Sequence, residues 1–515
     1  MSSTWTNWAG SLTASPSQLL RPASVSDLQN IILGNQGKTI RAAGTGHSWS
    51  PLVPTNDVLI DMSHVVGDGG RKAWRWQKNG RDLVTFLPSA AWADVRAALT
   101  DPSVGAPLMY LPTAGVVPSI NATGFVAAGC HGTGWMQPTV PDLIHEIRII
   151  GADGKVHIFS EDSTPNEMPA ARVNLGTLGL ISQLTLNVEP MYNLWDQEHT
   201  LNTADVMGPN PVDSGRPPDP SKLSTIVTKN DYVELFWFPW SGSSIWHPTS
   251  LDDGSIWVKL WNRTTDPPRD VLPQPPDWQN FFAELVMEKV AENPRDDILI
   301  PTVEWVVWQT LNSTIGKVTS TNGFVAEAPV VLHYQNQAFP VIDIEIAIPI
   351  ISSGGGQWDF TNIVNAWYQV VNLVRPDYPQ YIYPLTVCMH ARFLKNSQAL
   401  LSPATEAAGS DTHYCWIEIL SAYPKAVSDP QKRQELIADF TTLLNTIGPV
   451  WINQMNGRPH WAKYWQNIPN IDIRSLYPKN NLDQFNRLRS TLDPNGMFLN
   501  SFLKDLDLWA KPDGS

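Results

Sequence analysis

The N-terminal part of the chain combines two hydrophobic patterns, short apolar runs and apolar positions at helical spacing. The short runs predict β-strands at residues 39–43, 57–60 and 83–87. The helical spacing predicts helices at residues 24–33 and 90–99, and either Ser24 or Ser26 is suited to cap the first of them. We therefore expect a β/α arrangement over residues 20–100.

The rest of the chain is richer in strand patterns. The turn sequence Ala152-Asp153-Gly154 between two apolar runs predicts a β-hairpin over residues 143–159. Further strands are predicted at residues 182–188, 233–238, 256–261, 343–349 and 412–416. Helices are predicted at residues 280–291 and 358–374, and Pro-rich surface loops at residues 210–222 and 266–278. This pattern predicts an antiparallel sheet with helices after residue 190.

The composition is that of an ordered protein with a large core. The 515 residues suffice for two or three domains, and 42% of them are hydrophobic and 16% charged. The 23 Trp residues either fill the core or line a cavity, where flat aromatic faces suit sugars or fused rings. The net charge of −14 argues against nucleic acid and anionic membranes, because both need a basic protein face.

The cysteines and the N-terminus bear on location. Cys130, Cys388 and Cys415 provide neither a disulfide framework nor the spacing of a zinc site, so we expect a reducing compartment and no metal. The N-terminus has no signal-peptide pattern, and no apolar run is long enough to span a membrane. We expect a cytoplasmic protein without a membrane span, as a monomer or a homodimer.

A glycine-rich loop follows the first predicted strand. Gly44 and Gly46 have small or hydroxylated neighbours, and such a loop can bring backbone N–H groups to a diphosphate. The loop ends in His47, which is followed by Ser-Trp-Ser-Pro. The alternative is a surface-loop histidine after a tight turn. A further run of small residues, 111–134, can lie flat against a ring system or a pyrophosphate, and residues 174–181 contain another Gly-x-x-Gly turn.

These segments resemble the vanillyl-alcohol-oxidase flavoprotein superfamily, and most closely its branch of aldonolactone, alditol and type II cholesterol oxidases. The resemblance rests on residues 6–10 (TNWAG), 43–52 (AGTGHSWSPL), 119–134, 458–463 (RPHWAK) and 492–502. In that branch the loop histidine is bonded covalently to the 8α-methyl carbon of FAD, which implies that His47 is the attachment point here.

The resemblance implies an α+β fold of the PCMH type with two domains. An α/β FAD-binding domain would cover residues 1–190, and a substrate-binding domain on an antiparallel sheet covered by helices would cover residues 191–455. Residues 456–515 would return to the FAD domain and the active site. The implied FAD-binding residues, besides His47, are Ala43, Gly44, Thr45, Gly46, Ser48, Thr113, Ser119, Gly124, Gly129, Cys130, Gly132, Thr133, Gly179, Ile181, Lys463 and Asn500.

A second covalent flavin link, which some relatives make to a cysteine, would fall near Val117. Cys130 stands where relatives often have Thr, and we interpret it as a small packing residue. We therefore expect one covalent link.

The predicted catalytic residues are His390, Arg392 and Lys463. His390 and Arg392 share one face of a strand, because residues i and i+2 do. The branch has Glu-x-Arg here, so His390 replaces a carboxylate and is a candidate base or substrate anchor. A neutral His can accept a proton, but the missing carboxylate argues against the usual polyol or lactone substrate. The alternative is a His/Arg pair on a solvent-facing strand.

Lys463 matches the family lysine that approaches the flavin or the substrate oxygen, where a cation stabilises negative charge. The alternative is a structural loop with a solvent-seeking lysine. Glu345 lies either near the site or at a sheet edge, whereas His413 and His460 are interpreted as structural.

The resemblance implies an FAD-dependent oxidase that oxidises a CH–OH group and reduces O2 to H2O2. The open alternatives are a larger apolar or nitrogen-containing substrate from natural-product biosynthesis, a dehydrogenase with another acceptor, and a flavin-binding protein without turnover.

Overall fold

The structure is a computed structural model that describes residues 4–239, 254–270, 292, 299–334, 341–375, 385, 387–406, 411–422, 427 and 429–509. Its strands, numbered in chain order, are β1 (Trp5–Thr6), β2 (Thr13–Ala14), β3 (Gln18–Leu20), β4 (Ile40–Ala43), β5 (Val58–Asp61), β6 (Ala73–Lys78), β7 (Arg81–Phe86), β8 (Met109–Tyr110), β9 (Ile144–Ile150), β10 (Val156–Ser160), β11 (Leu180–Asn187), β12 (Glu189–Pro190), β13 (Asn193–Asn202), β14 (Tyr232–Phe238), β15 (Ser255–Thr264), β16 (Phe324–Glu327), β17 (Val341–Gly354), β18 (Gln357–Asp359), β19 (Cys388–Lys395), β20 (Thr412–Ala422) and β21 (Arg458–Pro459).

The described α-helices are α1 (Val25–Gly34), α2 (Trp92–Leu99), α3 (Ala122–Ala127), α4 (Met168–Arg172), α5 (Thr203–Met207), α6 (Pro211–Ser214), α7 (Ser221–Thr228), α8 (Leu299–Ser320), α9 (Ala328–Leu332), α10 (Thr361–Val374), α11 (Pro430–Asn453), α12 (Lys479–Leu492) and α13 (Ser501–Asp505). Short 3-10 helices lie at Met62–His64, Asp68–Gly70, Pro102–Val104, Val140–Leu143 and Ile473–Leu476.

The N-terminal part is built on two small sheets. Strands β3, β5 and β4 form a parallel sheet in that order, and β10-β9-β11-β7-β6 form an antiparallel sheet. Leu28 and Ile32 of α1 are buried in one apolar cluster with Ile60 of β5. Helix α1 begins where the sequence predicts, because Ser24 and Asp27 exchange side-chain-to-backbone hydrogen bonds in a capping box. The predicted α+β fold is confirmed.

A nine-stranded antiparallel sheet carries most of the later strands. Its order is β16-β13-β15-β14-β19-β20-β17-β18, with β21 paired to β17. Strand β19 is buried from Cys388 to Leu394, although this stretch contains the polar residues His390 and Arg392. Helices α10 and α11 pack against β17. The other face of the central strands is therefore available for a site.

The C-terminal part of the chain contacts the N-terminal loops. Ile40 N donates to Met497 O (2.9 Å), and Trp49 N donates to Ala462 O (2.7 Å). Asn500 Nδ2 donates to Pro51 O and Pro54 O, both at 2.9 Å. These bonds hold the glycine-rich loop against the chain that follows residue 455. The domain limits at residues 190 and 455 stay predictions.

Two element predictions need correction. The helix predicted from residue 358 begins at Thr361, because residues 357–359 pair with β17 as strand β18 after a turn of three glycines. The loop predicted at residues 210–222 contains helix α6, which Asn210 caps through the N–H of Val212. Proline at the first helical position favours this helix start.

Other predicted elements are confirmed with small shifts at their ends, including the hairpin at residues 152–154 and the strands at residues 233–238 and 343–349. The helix predicted at residues 280–291 lies outside the described residues, as does most of the loop at residues 266–278. None of the described helices is long and apolar enough to cross a bilayer.

Candidate active site

A cavity of about 430 Å³ lies between the N-terminal loops and the nine-stranded sheet. Residues 40–49, 115–131 and 175–181 contribute to one side, largely with small or apolar side chains. The central strands β14, β17, β19 and β20 contribute the other side, together with residues 460–463. One wall thus consists mainly of loop backbone and the other of charged side chains.

The glycine-rich loop comes very close to the start of helix α3. A Cβ atom added at Gly44 would lie 2.6 Å from Asn121 Cγ, so only glycine fits there. Asn121 N donates to Thr45 Oγ1 (3.1 Å), and Asn121 Oδ1 caps α3 through Gly124 N (2.8 Å). Gly46 has a φ of 70°, which glycine adopts without strain. The loop is therefore shaped by close backbone approach.

His47 stands in this loop at the cavity wall. Its ring stacks on Trp8 with a centroid distance of 4.8 Å, and its Nδ1 lies 3.0 Å from Thr45 Oγ1. Burial and the positive charge of Lys463 lower the pKa of His47 to about 4. The imidazole is therefore neutral near pH 7, as a nucleophilic nitrogen must be.

The structure places the predicted FAD-binding residues in two groups. The cavity lining includes Ala43, Gly44, Thr45, Gly46, His47, Ser48, Gly124, Cys130, Gly179, Ile181 and Lys463. The remaining six, Thr113, Ser119, Gly129, Gly132, Thr133 and Asn500, are not in that lining.

Several of the six support the wall from behind. Thr133 Oγ1 donates to Val233 O (2.7 Å), and this bond connects the small-residue run 111–134 to β14. Gly132 packs so closely on the Ala114 carbonyl that a Cβ atom would lie 2.3 Å from its oxygen. Ser119 is exposed.

Burial raises the pKa of the Cys130 thiol to about 12, so this residue is a protonated packing group. Val117, at the place of the second covalent link in some relatives, also lines the cavity and has no thiol.

Charged residues converge on the sheet side because cross-strand partners share a face. His390 pairs with Glu418, Arg392 with Glu234, and Glu345 with Glu418. We call the following set the charge cluster: Glu234, Asp343, Glu345, His390, Arg392, Glu418 and Lys463. Its carboxylate residues are at most 7% exposed. Buried charges of this kind need partners.

His390 lies between two carboxylates. Its Nδ1 is 3.1 Å from Glu418 Oε2, its Nε2 is 3.6 Å from Glu234 Oε2, and its ring stacks on Phe236 at 4.1 Å. Burial alone would lower the pKa of His390, but the hydrogen bonds to Glu234 and Glu418 outweigh burial and raise it. This favours the imidazolium, which donates hydrogen bonds and does not accept a proton. The anchoring role proposed from the sequence fits this geometry better than the role of base.

Arg392 binds Glu345 through Nη2 and lies 3.5 Å from Glu418 Oε2. Glu345 also lies 3.2 Å from His131 Nε2. Although burial raises the pKa of Glu345, Arg392 and His131 outweigh it and lower that pKa. Glu345 is therefore a buried, ionised residue on a strand that pairs with β20 on one side and β21 on the other, and not an edge-strand charge.

Lys463 binds two carboxylates, Asp343 Oδ2 and Glu418 Oε1. Its Nζ lies 5.0 Å from the centre of the Trp49 ring. Burial lowers the pKa of Lys463, but both carboxylates outweigh it, so the lysine is charged. The loop is fixed to β17, because His460 N donates to Glu345 O (2.8 Å).

His131, Glu345 and His460 are close enough to share a metal ion, with candidate ligand atoms within 4.8 Å of one another. However, Glu345 Oε1 already accepts from Arg392, and His460 Nδ1 accepts from Ala462 N (3.0 Å). A guanidinium beside the site opposes a second cation, so these residues favour a hydrogen-bond network.

His413 stacks on Trp135 at 4.0 Å, away from the cavity lining, and is packed as expected. His460, interpreted from the sequence as structural, is in the lining.

Residues 184–506 match the family model described as D-arabinono-1,4-lactone oxidase. This match covers more than half of the chain. The protein belongs to the D-arabinono-1,4-lactone oxidase family. Family membership makes it an oxidoreductase, and it supports FAD as the cofactor.

Two relatives span nearly the whole chain. The L-gulono-1,4-lactone dehydrogenase of Mycobacterium tuberculosis is 26% identical over 509 residues, which is 98% of this chain and 99% of the relative. The L-gulonolactone oxidase of Mus musculus is 24% identical and covers 97% of both chains. The structure of cholesterol oxidase from B. sterolicum matches with a TM-score of 0.73 and 15% identity over 98% of this chain and 96% of that one. This structural match shows the shared fold.

The geometry and charge of the cavity fit a flavin. Glycine is required where the loop meets Asn121, and His47 presents a neutral imidazole at the wall. Lys463 adds a positive charge that can face an anionic flavin.

Sequence reasoning missed four residues of this site: Phe236, Glu234, Asp343 and Glu418. Glu234 and Glu418 are each the single charge of an apolar strand, as in Trp416-Ile417-Glu418-Ile419-Leu420, whereas Asp343 shares its strand with Glu345. A lone acid inside a buried run is a usable signal, because it needs a partner across the sheet.

Proposed function

We propose that this protein is an FAD-dependent oxidoreductase that oxidises a CH–OH group of a sugar lactone. The observation that carries the proposal is that the His47 loop and all members of the charge cluster except Glu234 line the same cavity. The names of the relatives, which include lactone oxidases and a lactone dehydrogenase, support the substrate class.

His47 would hold the flavin covalently, with the glycine-rich loop and residues 175–181 around it. The chemistry that bound FAD supplies is acceptance of a hydride at N5 and, with O2 as acceptor, formation of H2O2. Trp8 restricts the imidazole ring by stacking. The neutral state of His47 supports attachment, because a protonated imidazole has no free electron pair.

On the substrate side, the charge cluster would bind and orient hydroxyl groups. Arg392 and Lys463 supply donors and positive charge, and the carboxylates supply acceptors. Their burial keeps water away and strengthens each interaction. Fixed polar groups of this kind need no reorganisation during the reaction.

A larger apolar alcohol is the second candidate substrate. The side of the cavity that carries the charge cluster is also lined by Phe236, Tyr334, Val341, Val387 and Leu420. Apolar side chains beside a few fixed polar groups are typical of sites for ligands with a hydrophobic body. The use of O2, a cytoplasmic location and a monomeric or dimeric state stay predictions.

The test is anaerobic mixing of the purified protein with D-arabinono-1,4-lactone, L-gulono-1,4-lactone and cholesterol, while the flavin absorbance is followed. We expect a lactone to bleach the flavin, and readmitted air to restore the colour with formation of peroxide. Bleaching only by cholesterol would favour the apolar substrate. Colour return only with an artificial electron acceptor would favour a dehydrogenase. A flavin that none of these compounds bleaches would contradict the proposal and favour a binding protein.

A further inference from the structure

Four carboxylates of the charge cluster differ in how many partners they have. Glu418 accepts from three cationic residues: Lys463, His390 and Arg392. Each of these contacts stabilises the ionised carboxylate and weakens it as a proton acceptor. Glu418 is therefore an anchor that holds the cations in place.

Glu345 and Glu234 are also engaged. Glu345 is bound by Arg392 and lies 3.2 Å from His131 Nε2. Glu234 Oε2 accepts from the Tyr334 hydroxyl (2.6 Å) and faces His390. Each of these two carboxylates is held by two protein groups on one oxygen, whereas Glu345 Oε2 and Glu234 Oε1 accept no hydrogen bond from the described residues.

Asp343 has a single cationic partner. Its Oδ2 binds Lys463, and its Oδ1 is buried without a hydrogen-bond partner among the described residues. Asp343 is 1% exposed and belongs to the cavity lining. A carboxylate of the lining that is held by one cation only is better suited to accept a proton from a ligand hydroxyl than carboxylates with two or three partners.

We propose that Asp343 is the proton acceptor for the substrate hydroxyl, and that Glu418, Lys463 and His390 hold it in position. This inference rests on the proposed function. Asp343 lies on β17, and Glu418 on β20 separates it from the strand of His390.

Oxidation of the alcohol breaks two bonds of the substrate. The substrate O–H bond breaks, and its proton goes to the carboxylate of Asp343. The substrate C–H bond breaks, and its hydrogen leaves with both electrons as hydride to the flavin. The carbon–oxygen single bond becomes C=O, so the alcohol is oxidised by two electrons.

The surroundings tune Asp343 for this role. Burial and the nearby negative charge of Glu418 raise its pKa well above the ordinary value, although Lys463 opposes them, and Glu345 on the same strand adds to the rise. Arg392 and His390 lie behind Glu418 and supply positive charge at greater distance. A base with a raised pKa takes a proton more readily than an ordinary aspartate. The rate of flavin reduction should therefore rise with pH as Asp343 loses its proton, and then level off.

The first test is Asp343→Asn, which keeps shape and removes the base. We expect anaerobic flavin reduction to slow by about 10²–10⁴-fold, the usual contribution of a general base, and the pH dependence to disappear. Flavin absorbance that stays with the variant through gel filtration should match the wild type, and dithionite should bleach it, which together show that a reducible flavin is bound. The infrared band of a buried protonated carboxyl group, measured without substrate, should be weaker in the variant.

The matched control is Asp196→Asn. Asp196 is another buried acid of the same sheet with a pKa raised, mainly by burial, to about 8, and it binds Trp261 Nε1 (2.9 Å) outside the cavity lining. Flavin reduction in Asp196→Asn should stay within about threefold of the wild-type rate, a much smaller change than loss of a general base would cause.

A second variant guards against misfolding. Asp343→Ala removes the carboxyl group, and added formate should restore part of the rate, because a small carboxylate can occupy the vacated space. A merely structural role would not respond to formate.

The possible failures are distinguishable. If the wild type is reduced and Asp343→Asn keeps its rate and its pH profile, this inference is wrong while the proposed function stands. If no CH–OH compound reduces the wild type, the proposed function fails first and this inference fails with it.

Discussion

The two walls of the cavity differ in the chemistry of the groups that line them. The loop wall, formed by residues 40–49, 115–131 and 175–181, uses glycines and small side chains that let backbone approach closely. The sheet wall uses buried charges that are held by cross-strand partners. The loop wall is shaped to hold a large flat group, whereas the sheet wall is charged to orient a small polar one. Substitutions should therefore fail in different ways on the two walls.

Lys463→Met should have the largest effect and separate the sheet wall from the loop wall. The variant leaves Asp343 and Glu418 buried without their shared cation, which costs about 3–5 kcal/mol of unfolding free energy. Loss of a preorganised charge should also slow flavin reduction by about 10²–10³-fold. Denaturant unfolding and stopped-flow absorbance measure the two effects.

The control for that substitution is Lys479→Met, which removes an exposed ion pair with Asp483 (2.7 Å). This control should lower the free energy of unfolding by less than about 1 kcal/mol and leave the rate of flavin reduction unchanged. Equal effects of the two substitutions would contradict the importance of the buried cluster.

Gly44→Ala should break the loop wall and spare the sheet wall. The new Cβ atom would clash with Asn121, and overpacking of this kind costs about 1–3 kcal/mol. We expect a lower flavin content per polypeptide, measured by absorbance, with an intact sheet. Gly34→Ala is the control, since a Cβ atom there meets nothing within 4 Å. A full flavin content in Gly44→Ala would show that the loop tolerates displacement.

Glu345→Gln should have a smaller effect, which depends on pH. The folded-state pKa of Glu345 lies below its ordinary value of 4.5, so its stabilisation is present above pH 4.5 and is lost as pH falls through the folded pKa. The variant should melt at a lower temperature than the wild type near neutral pH, and the difference should shrink in acid.

Glu189→Gln, which removes a half-exposed partner of Arg263 (2.6 Å), is the control for this pH series and should change the melting temperature little at any pH. A difference between Glu345→Gln and the wild type that is constant with pH would contradict an ionised, paired Glu345.

Local features of the fold were accessible from the sequence. The Ser24 cap and the turn at residues 152–154 depend on neighbours within a few residues. The glycine-rich loop was recognised from its own residues, although its close contact with the distant Asn121 was not. The start of helix α10 was missed because strand β18 is stabilised by its pairing with β17. Local spacing contains no information about that partner.

The loop wall was largely predictable, but the sheet wall was not. His390 and Arg392 were found because they share a strand and resemble a known motif. Asp343, Glu418 and Glu234 meet them only through the register of strands that are far apart in sequence. The pKa of His390 depends on those partners, so its preference for the protonated state could not be derived from its own strand.

The most direct test of the account is the mass of the peptide that contains His47, measured after denaturation in acid and proteolysis of the purified protein. We predict that this peptide carries the mass of FAD and keeps its yellow colour, and that His47→Ala loses both while it remains folded. A wild-type His47 peptide of unmodified mass, with all colour left in the supernatant, would contradict the covalent attachment of the flavin to the loop wall.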